Sequence, residues 1–296
     1  MKRTRILAIV LGLLLFLPLT VLARGIDPVA STDWLQKNLV QAKLVAIDIR
    51  KVEDYKAGHI PGAVNAFYGA WAIAKDGLGQ ELPADDDLRD VIGGAGIDPD
   101  SWVVVIGKTD TPSNRADIVR VAWTLRFAGV ENVAVLDGGY DKWIADKKAV
   151  STDAVKPKAT SYDGWFNREF LASKAYVIGR KDIATLVDVR APEFFAGQKK
   201  LDFVARAGRI PWAVNLPVSL PFNADGTIKG KEALAALAAP VVGTDLKKEI
   251  IVYCDTGKNC AVWWFLLHEV LGYDNVRGYD GSMQEWAKDA NAPMAP

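Results

Sequence analysis

The chain holds two cysteines, Cys254 and Cys260, and they bracket one short loop. The stretch reads "EIIVYCDTGKNCAVWWFLLHEVLGY", residues 249–273. An apolar run ends at Cys254, and Asp255, Thr256, Gly257, Lys258 and Asn259 follow before a second apolar, helix-like run. Gly257 permits backbone angles that other residues resist. A tight loop entering a helix can aim several N–H groups at one point, where the helix start adds partial positive charge. A thiol placed there loses its proton easily. Lys258 adds a full positive charge nearby. The same cradle would hold a persulfide anion once the thiolate had taken up a sulfur atom. Nucleophilic chemistry at Cys254 is the expectation. Cys260 opens the helix, where a small residue suffices. Its first expected role is packing, and the alternative is a redox partner for Cys254.

The two histidines add no base to this loop. His268 lies eight residues beyond Cys260, roughly 12 Å along a helix of ordinary rise, while Cys254 is at the opposite end. His59 precedes Ile60, Pro61 and Gly62 and reads as a turn residue. Two cysteines and two histidines so spaced make no zinc site, and no metal or other cofactor is expected.

The elements that position the loop occur twice. "LVAIDIR" (44–50) is matched by "TLVDVR" (185–190), and "GHIPGAVN" (58–65) by "GRIPWAVN" (208–215). "VVVIG" (103–107) is matched by "IIVYC" (250–254), and "GVENVAVLDGGYDKW" (129–143) by "GYDNVRGYDGSMQEW" (272–286). The order is the same in both copies, so the 296 residues contain one domain twice. Each copy reads as strand, helix, strand, helix. Short unbroken β-branched strands alternating with helices predict an α/β fold, a parallel sheet with helices on both faces. Gly129 and Gly272 are suited to left-handed helix ends. In such sheets the ligand site lies beyond the carboxyl ends of the strands, where Cys254 falls. Asp48 and Arg50 are expected to brace the first copy. Trp263 and Trp264 should pack between sheet and helix, and Trp212 should fill core or wall the pocket.

"MKRTR" followed by "ILAIVLGLLLFLPLTVLA" reads as a secretory signal peptide over residues 1–23; an uncleaved anchor is the alternative. Removing it removes Lys2, Arg3 and Arg5 and no acid, leaving 33 basic against 36 acidic side chains. That balance suggests no nucleic-acid footprint, and no later segment is long enough to span a bilayer. The expected organisation is a first domain at 24–147, a linker at 148–164 and a second domain at 165–290. A periplasmic location is expected for a Gram-negative source, with no membrane contact after cleavage.

The repeat resembles the rhodanese (thiosulfate/mercaptopyruvate sulfurtransferase) family over nearly the whole mature chain. "DVR", "GxIPxAVN", the Cys254 loop and "YDGSMQEW" fall in that family's order. The resemblance implies two tandem rhodanese-like domains. It implies a catalytic Cys254 at the head of a six-residue loop, 254–259, whose residues cradle the substrate. Gly107 at the matching position makes the first copy non-catalytic. It further implies transfer of a sulfane sulfur from thiosulfate or 3-mercaptopyruvate, through a Cys254 persulfide, to a thiol or cyanide acceptor. The partners are then small molecules and the protein is expected to be a monomer. Arg190 would bind the anionic donor; the alternative is an ion pair with Asp188 or Glu193. The first-copy stretch 107–117 is about four residues longer than its counterpart and is expected to close one wall of the cleft.

Three other functions stand beside this one. A phosphatase on this fold needs Cys-x5-Arg, but Cys260 holds the arginine's place. A thiol-disulfide oxidoreductase would want Cys-x-x-Cys. A non-catalytic protein binding a sulfur compound or a partner is the third.

Overall fold

The structure is a computed structural model that describes residues 24–296; the expected signal segment, 1–23, lies outside the described residues. The first half contributes β1 (Val29–Ala30), β2 (Leu44–Asp48), β3 (Val64–Asn65), β4 (Ile73–Lys75), β5 (Leu78–Glu81), β6 (Trp102–Ile106) and β7 (Asn132–Leu136). The second contributes β8 (Leu171–Ala172), β9 (Thr185–Asp188), β10 (Val214–Asn215), β11 (Ile250–Tyr253) and β12 (Val276–Tyr279). Two five-stranded sheets result, in the orders β1-β7-β6-β2-β3 and β8-β12-β11-β9-β10. Every pairing in both is parallel. The strand orders superpose copy on copy, as the repeat requires.

Side chains alternate across each strand, and both faces are apolar. Val103 and Val105 of β6 face one buried cluster while Val104 and Ile106 face another. In β11, Ile250 and Val252 face the first of these clusters and Ile251 and Tyr253 face a third. The shared cluster runs through both halves; each remaining cluster belongs to one sheet's other face. The alternation turns Cys254 toward the shared cluster, between the domains.

Helix Pro112–Phe127 explains how the halves join. Thr111 caps it by accepting the Asn114 N–H at 3.1 Å, with Pro112 in the first turn. Gly129, at φ +95°, follows its end. From Ile118 to Leu125 every residue of this helix is buried, so it has no water-facing stripe there. It packs against the second domain's helix Cys260–Phe265, which continues as a π-helical turn, Leu266–Leu271, and ends at left-handed Gly272. Trp123 meets Trp264 edge-on, with ring centroids 6.2 Å apart.

The 148–164 stretch is strapped down. Ser151 exchanges both backbone hydrogen bonds with His59 at 2.9 Å, and Tyr162 donates its hydroxyl to the Ala128 carbonyl at 2.6 Å. His59 is itself buried and stacked on Tyr55, its centroid 3.9 Å away.

The β4–β5 hairpin has a reduced counterpart in the second half, a single antiparallel bridge between Phe222 and Ile228 around Gly226 at φ +81°. Asp76 and Gly77 both adopt positive φ between its strands, the pattern that suits a two-residue hairpin loop. The hairpin crosses to the other domain. Gly79 exchanges hydrogen bonds with the Gln284 amide at 2.8 Å, and the Leu82 N–H donates to Asp280 at 3.1 Å. Among the described residues no helix is long and apolar enough to cross a membrane.

Candidate active site

Register fixes the equivalence of the two strand ends. Asp48 pairs with Ile106 and Asp188 with Tyr253, so Gly107 and Cys254 occupy the same place. A Cβ at Gly107 would lie 2.7 Å from Ile118 Cγ1. The first copy has therefore filled with isoleucine the space that a cysteine side chain would need. In the second copy the chain turns after Tyr253 into the 254–259 loop and enters the helix at Cys260.

Gly257 is the hinge of that turn, at φ +78°, with its backbone pressed against Asp280. Four loop N–H groups are committed to two acceptors. The N–H groups of Cys254 and Gly257 donate to Ser282 Oγ at 3.1 and 3.0 Å. Those of Thr256 and Cys260 turn to the Cys254 sulfur. Ser282 Oγ in turn donates to the Tyr279 carbonyl at 2.7 Å and lies 4.0 Å from the sulfur.

Cys254 is only 1% exposed. Burial, the largest influence, pushes its thiol up, and the Asp255 charge adds to that. The Cys260 thiol and the two N–H groups outweigh both and bring Cys254 down to about 7. Near neutrality about half of it is thiolate.

These strand ends, loop and helix start carry a family. The Rhodanese-like domain profile matches residues 31–146 and again 174–289. The chain belongs to the rhodanese family. The match makes each half one rhodanese-like domain, with the Cys254 loop in the second. The chain is 34% identical to a Mycobacterium leprae protein named "Putative thiosulfate sulfurtransferase", over 90% of this chain and 97% of that one. It is 29% identical to "Sulfur carrier protein TtuD" of Thermus thermophilus, over 91% and 96%. An ergothioneine biosynthesis enzyme from Chlorobium limicola superposes with a TM-score of 0.80 at 24% identity, covering 91% of this chain and 71% of that one; this likeness is one of fold.

Within this rhodanese, Arg190 is tied down. Its Nε and Nη2 hold the Asp188 carboxylate, with Nη2 at 2.6 Å, and Nη2 also donates to the Gly208 carbonyl at 2.9 Å. Only Nη1 faces the loop, 3.4 Å from Asp255. Arg50 repeats the arrangement with Asp48 and the Gly58 carbonyl in the first copy. The pair is thus a brace common to both domains; Glu193, the other acid beside Arg190 in sequence, pairs with Lys199.

Lys258 points away from the sulfur's cradle. It donates to Ser113 at 2.7 Å and Asp117 at 2.9 Å, both of the first domain. The 107–117 stretch thus closes against the 254–259 loop. Asp117 also lines a cavity of about 420 Å³ at the first domain's strand ends, with Lys51, Tyr68 and Lys108.

His268 stacks on Trp264 at 4.8 Å and sits edge-on to Phe170 at 5.0 Å. Burial first, then the Arg126 and Arg24 charges, lower it to about 4, so it is neutral at physiological pH. Trp212 lies edge-on to Trp286 at 5.8 Å and packs against the second domain's outer cluster. Both cysteines are free.

Sequence reasoning passed over Ser282, Asp280 and Arg120. Ser282 is a non-glycine residue at φ +48°, where the first copy has Gly139 at φ +58°. A serine replacing a left-handed glycine of the repeat was the available signal, because strained positions of this kind cluster at functional sites.

Cys260 is fully buried and has one polar contact within the loop. Its Sγ lies 3.0 Å from the Gly257 carbonyl, and its thiol also faces the Cys254 sulfur. Burial, first, and then Cys254 itself hold it protonated, well above the ordinary range. Held protonated beside it, Cys260 lowers the Cys254 thiol. Cys260→Ala should raise the Cys254 thiol by about one pH unit, while Cys260→Ser, which keeps a donor, should shift it less. Alkylation rate against pH measures both; equal shifts would remove the donor role.

Proposed function

We propose that this protein is a sulfurtransferase working through a Cys254 persulfide. The observation that carries the reading is a thiol brought to about 7 by donors converging on it at a strand end. The names of its relatives agree with it. The Cys254 thiolate attacks the sulfane sulfur of thiosulfate or 3-mercaptopyruvate. With thiosulfate the S–S bond breaks and its electron pair leaves with sulfite. With 3-mercaptopyruvate the C–S bond breaks, its pair leaves on the pyruvate enolate and the donor thiol's proton passes to that carbon. In both cases the enzyme keeps a persulfide. A cyanide or thiol acceptor then attacks the outer sulfur, and the thiolate leaves. The N–H groups that hold the thiolate also hold the persulfide anion, so the intermediate is stabilised without rearrangement.

The test is thiocyanate formation by the purified protein given either donor and cyanide. Turnover with at least one is expected; none with either, and no sulfur adduct on Cys254, would overturn the reading. The pH profile follows from the thiol. Below about 7 the loading rate should rise about tenfold per pH unit, and above about 8 it should level off. A profile still climbing at 9 would mean that the thiol is not lowered. We also propose export, on the strength of the basic-to-apolar leader. Fractionation should then recover a chain starting near Arg24 outside the cytoplasm, and retention of the uncleaved chain in the cytoplasm would exclude it.

A further inference from the structure

The cavity of about 420 Å³ at the first domain's strand ends lies where the second domain keeps Cys254, and no residue of the 254–259 loop lines it. Register matches its wall to the second copy. Gly107 answers Cys254, so Lys108 answers Asp255; Arg50 answers Arg190, so Lys51 answers Ala191. The N–H groups of Tyr68 and Val218 donate to Ile49 and Val189, the residues before the two arginines, so Tyr68 answers Val218 and Phe67 answers Pro217. At these four positions the second copy has one acid and three apolar residues without an aromatic ring. The first copy has two lysines and two aromatics, and all four line the cavity.

The two arginines are braced alike and differ at one nitrogen. Arg190 Nη1 lies 3.4 Å from the Asp255 carboxylate. In the first copy lysine replaces that acid, and Arg50 Nη1 has no hydrogen-bond partner among the described residues; Nε and Nη2 are taken by Asp48 and the Gly58 carbonyl. The Arg50 side chain is only 4% exposed, lies 3.5 Å from the Tyr140 ring centroid and lines the cavity. Buried donors are seldom left bare. Two acids also line the cavity, and each is answered. Asp54 meets Lys108 at 2.9 Å in a half-exposed pair of little worth, and an ammonium keeps further donors to share. Asp117 is met at 2.9 Å by Lys258 from the other domain. Lys51 makes no ion pair among the described residues.

We propose that this cavity is a binding site for a small organic carboxylate, separate from the Cys254 centre. The ligand's carboxylate lies at Arg50 Nη1 and Lys108, taking the place that Asp255 fills beside Arg190 in the second copy. A guanidinium edge is the donor that suits a carboxylate. The ligand's apolar part lies against Ile49 and Phe67, whose ring is 48% exposed at the cavity. The volume is that of a site for an organic molecule rather than for a bare inorganic ion. The copy that lost its thiol has thus kept its arginine and gained a wall for a ligand. This holds whether or not Cys254 transfers sulfur.

The experiment is calorimetric titration of the full mature chain with phenylacetate, which carries a carboxylate and a ring, and with inorganic sulfate. Phenylacetate should bind saturably at one site with a Kd of about 1 mM or below, which a ligand of its size can reach. Sulfate, with nothing to cover Phe67, should bind at least about tenfold more weakly. Lys108→Asp restores the acid that the second copy sets beside its arginine, and should weaken phenylacetate at least about tenfold. Lys247→Asp makes the same change of charge at an exposed lysine outside the cavity and should bind as the native chain does. Cys254→Ser should also bind as the native chain does, which separates this site from the thiol's. The proposal is overturned by no saturable binding of phenylacetate, by sulfate binding as tightly, by undiminished binding in Lys108→Asp, or by binding lost in Cys254→Ser. If Lys108→Asp does not fold, Lys108→Ala takes its place, and undiminished binding there counts equally against the proposal.

Discussion

Cys254→Ser should lower thiocyanate formation at least about a thousandfold and leave the fold unchanged. The two side chains differ by one atom at a buried site, so packing is nearly preserved. What changes is acidity. The donors around residue 254 draw a thiol down to about 7, whereas an alcohol starts far too high for the same donors to ionise it. A serine also cannot store sulfur as a persulfide. Mass spectrometry after incubation with donor should therefore find one added sulfur on the native chain, lost on adding cyanide, and none on the variant. Cys260 gives the control: Cys260→Ser should keep measurable turnover. Turnover surviving in Cys254→Ser would end the mechanism.

The second large effect belongs to a residue with no side chain. Gly257 has φ +78°, and a Cβ there would lie 2.5 Å from the Asp280 carbonyl oxygen and closer still to its carboxylate. Gly257→Ala therefore costs the left-handed strain, about 1–2 kcal/mol, and must also push Asp280 away. Asp280 is the bidentate partner of fully buried Arg120, and separating such a pair costs about 3–5 kcal/mol. A loss of at least about 3 kcal/mol is expected in denaturant unfolding. Activity should fall on the order of a hundredfold even where the protein stays folded, because the N–H groups move off the sulfur. Gly243→Ala is the companion measurement. Gly243 also has positive φ, at +85°, but its Cβ would meet nothing within 4 Å. It should show the strain alone, about 1 kcal/mol. Equal losses at the two sites would mean that the Asp280 contact is not what Gly257 protects.

The parts of this molecule that could be read in advance are those governed by local rules. Buried parallel strands are short apolar runs, and "VVVIG" and "IIVYC" became β6 and β11 within a residue. Gly129 and Gly272 took positive φ where a helix had to stop. The loop was legible because cysteine is scarce here and glycine marks the turn. The rest depended on partners far along the chain. Lys258 looked like a charge for the sulfur, but Asp117, 141 residues away, claims it. Arg120 was passed over, because its carboxylate lies 160 residues on. Arg190 offered two readings that only the Gly208 carbonyl and the repeated Arg50 pair could weigh. The hairpin was signalled by Asp76-Gly77, but its match at Asp225-Gly226 is only a single Phe222–Ile228 bridge, too short to mark the repeat.

Duplication usually leaves one copy free to decay once the other keeps the chemistry. The helix that enters both halves' core removes that freedom. Deleting the silent half would strip Trp264 of a neighbour, orphan Asp280 and loosen the turn that carries Cys254. The first domain thus braces the second. Its own surface pocket can drift toward new ligands, while its inner helix cannot drift at all.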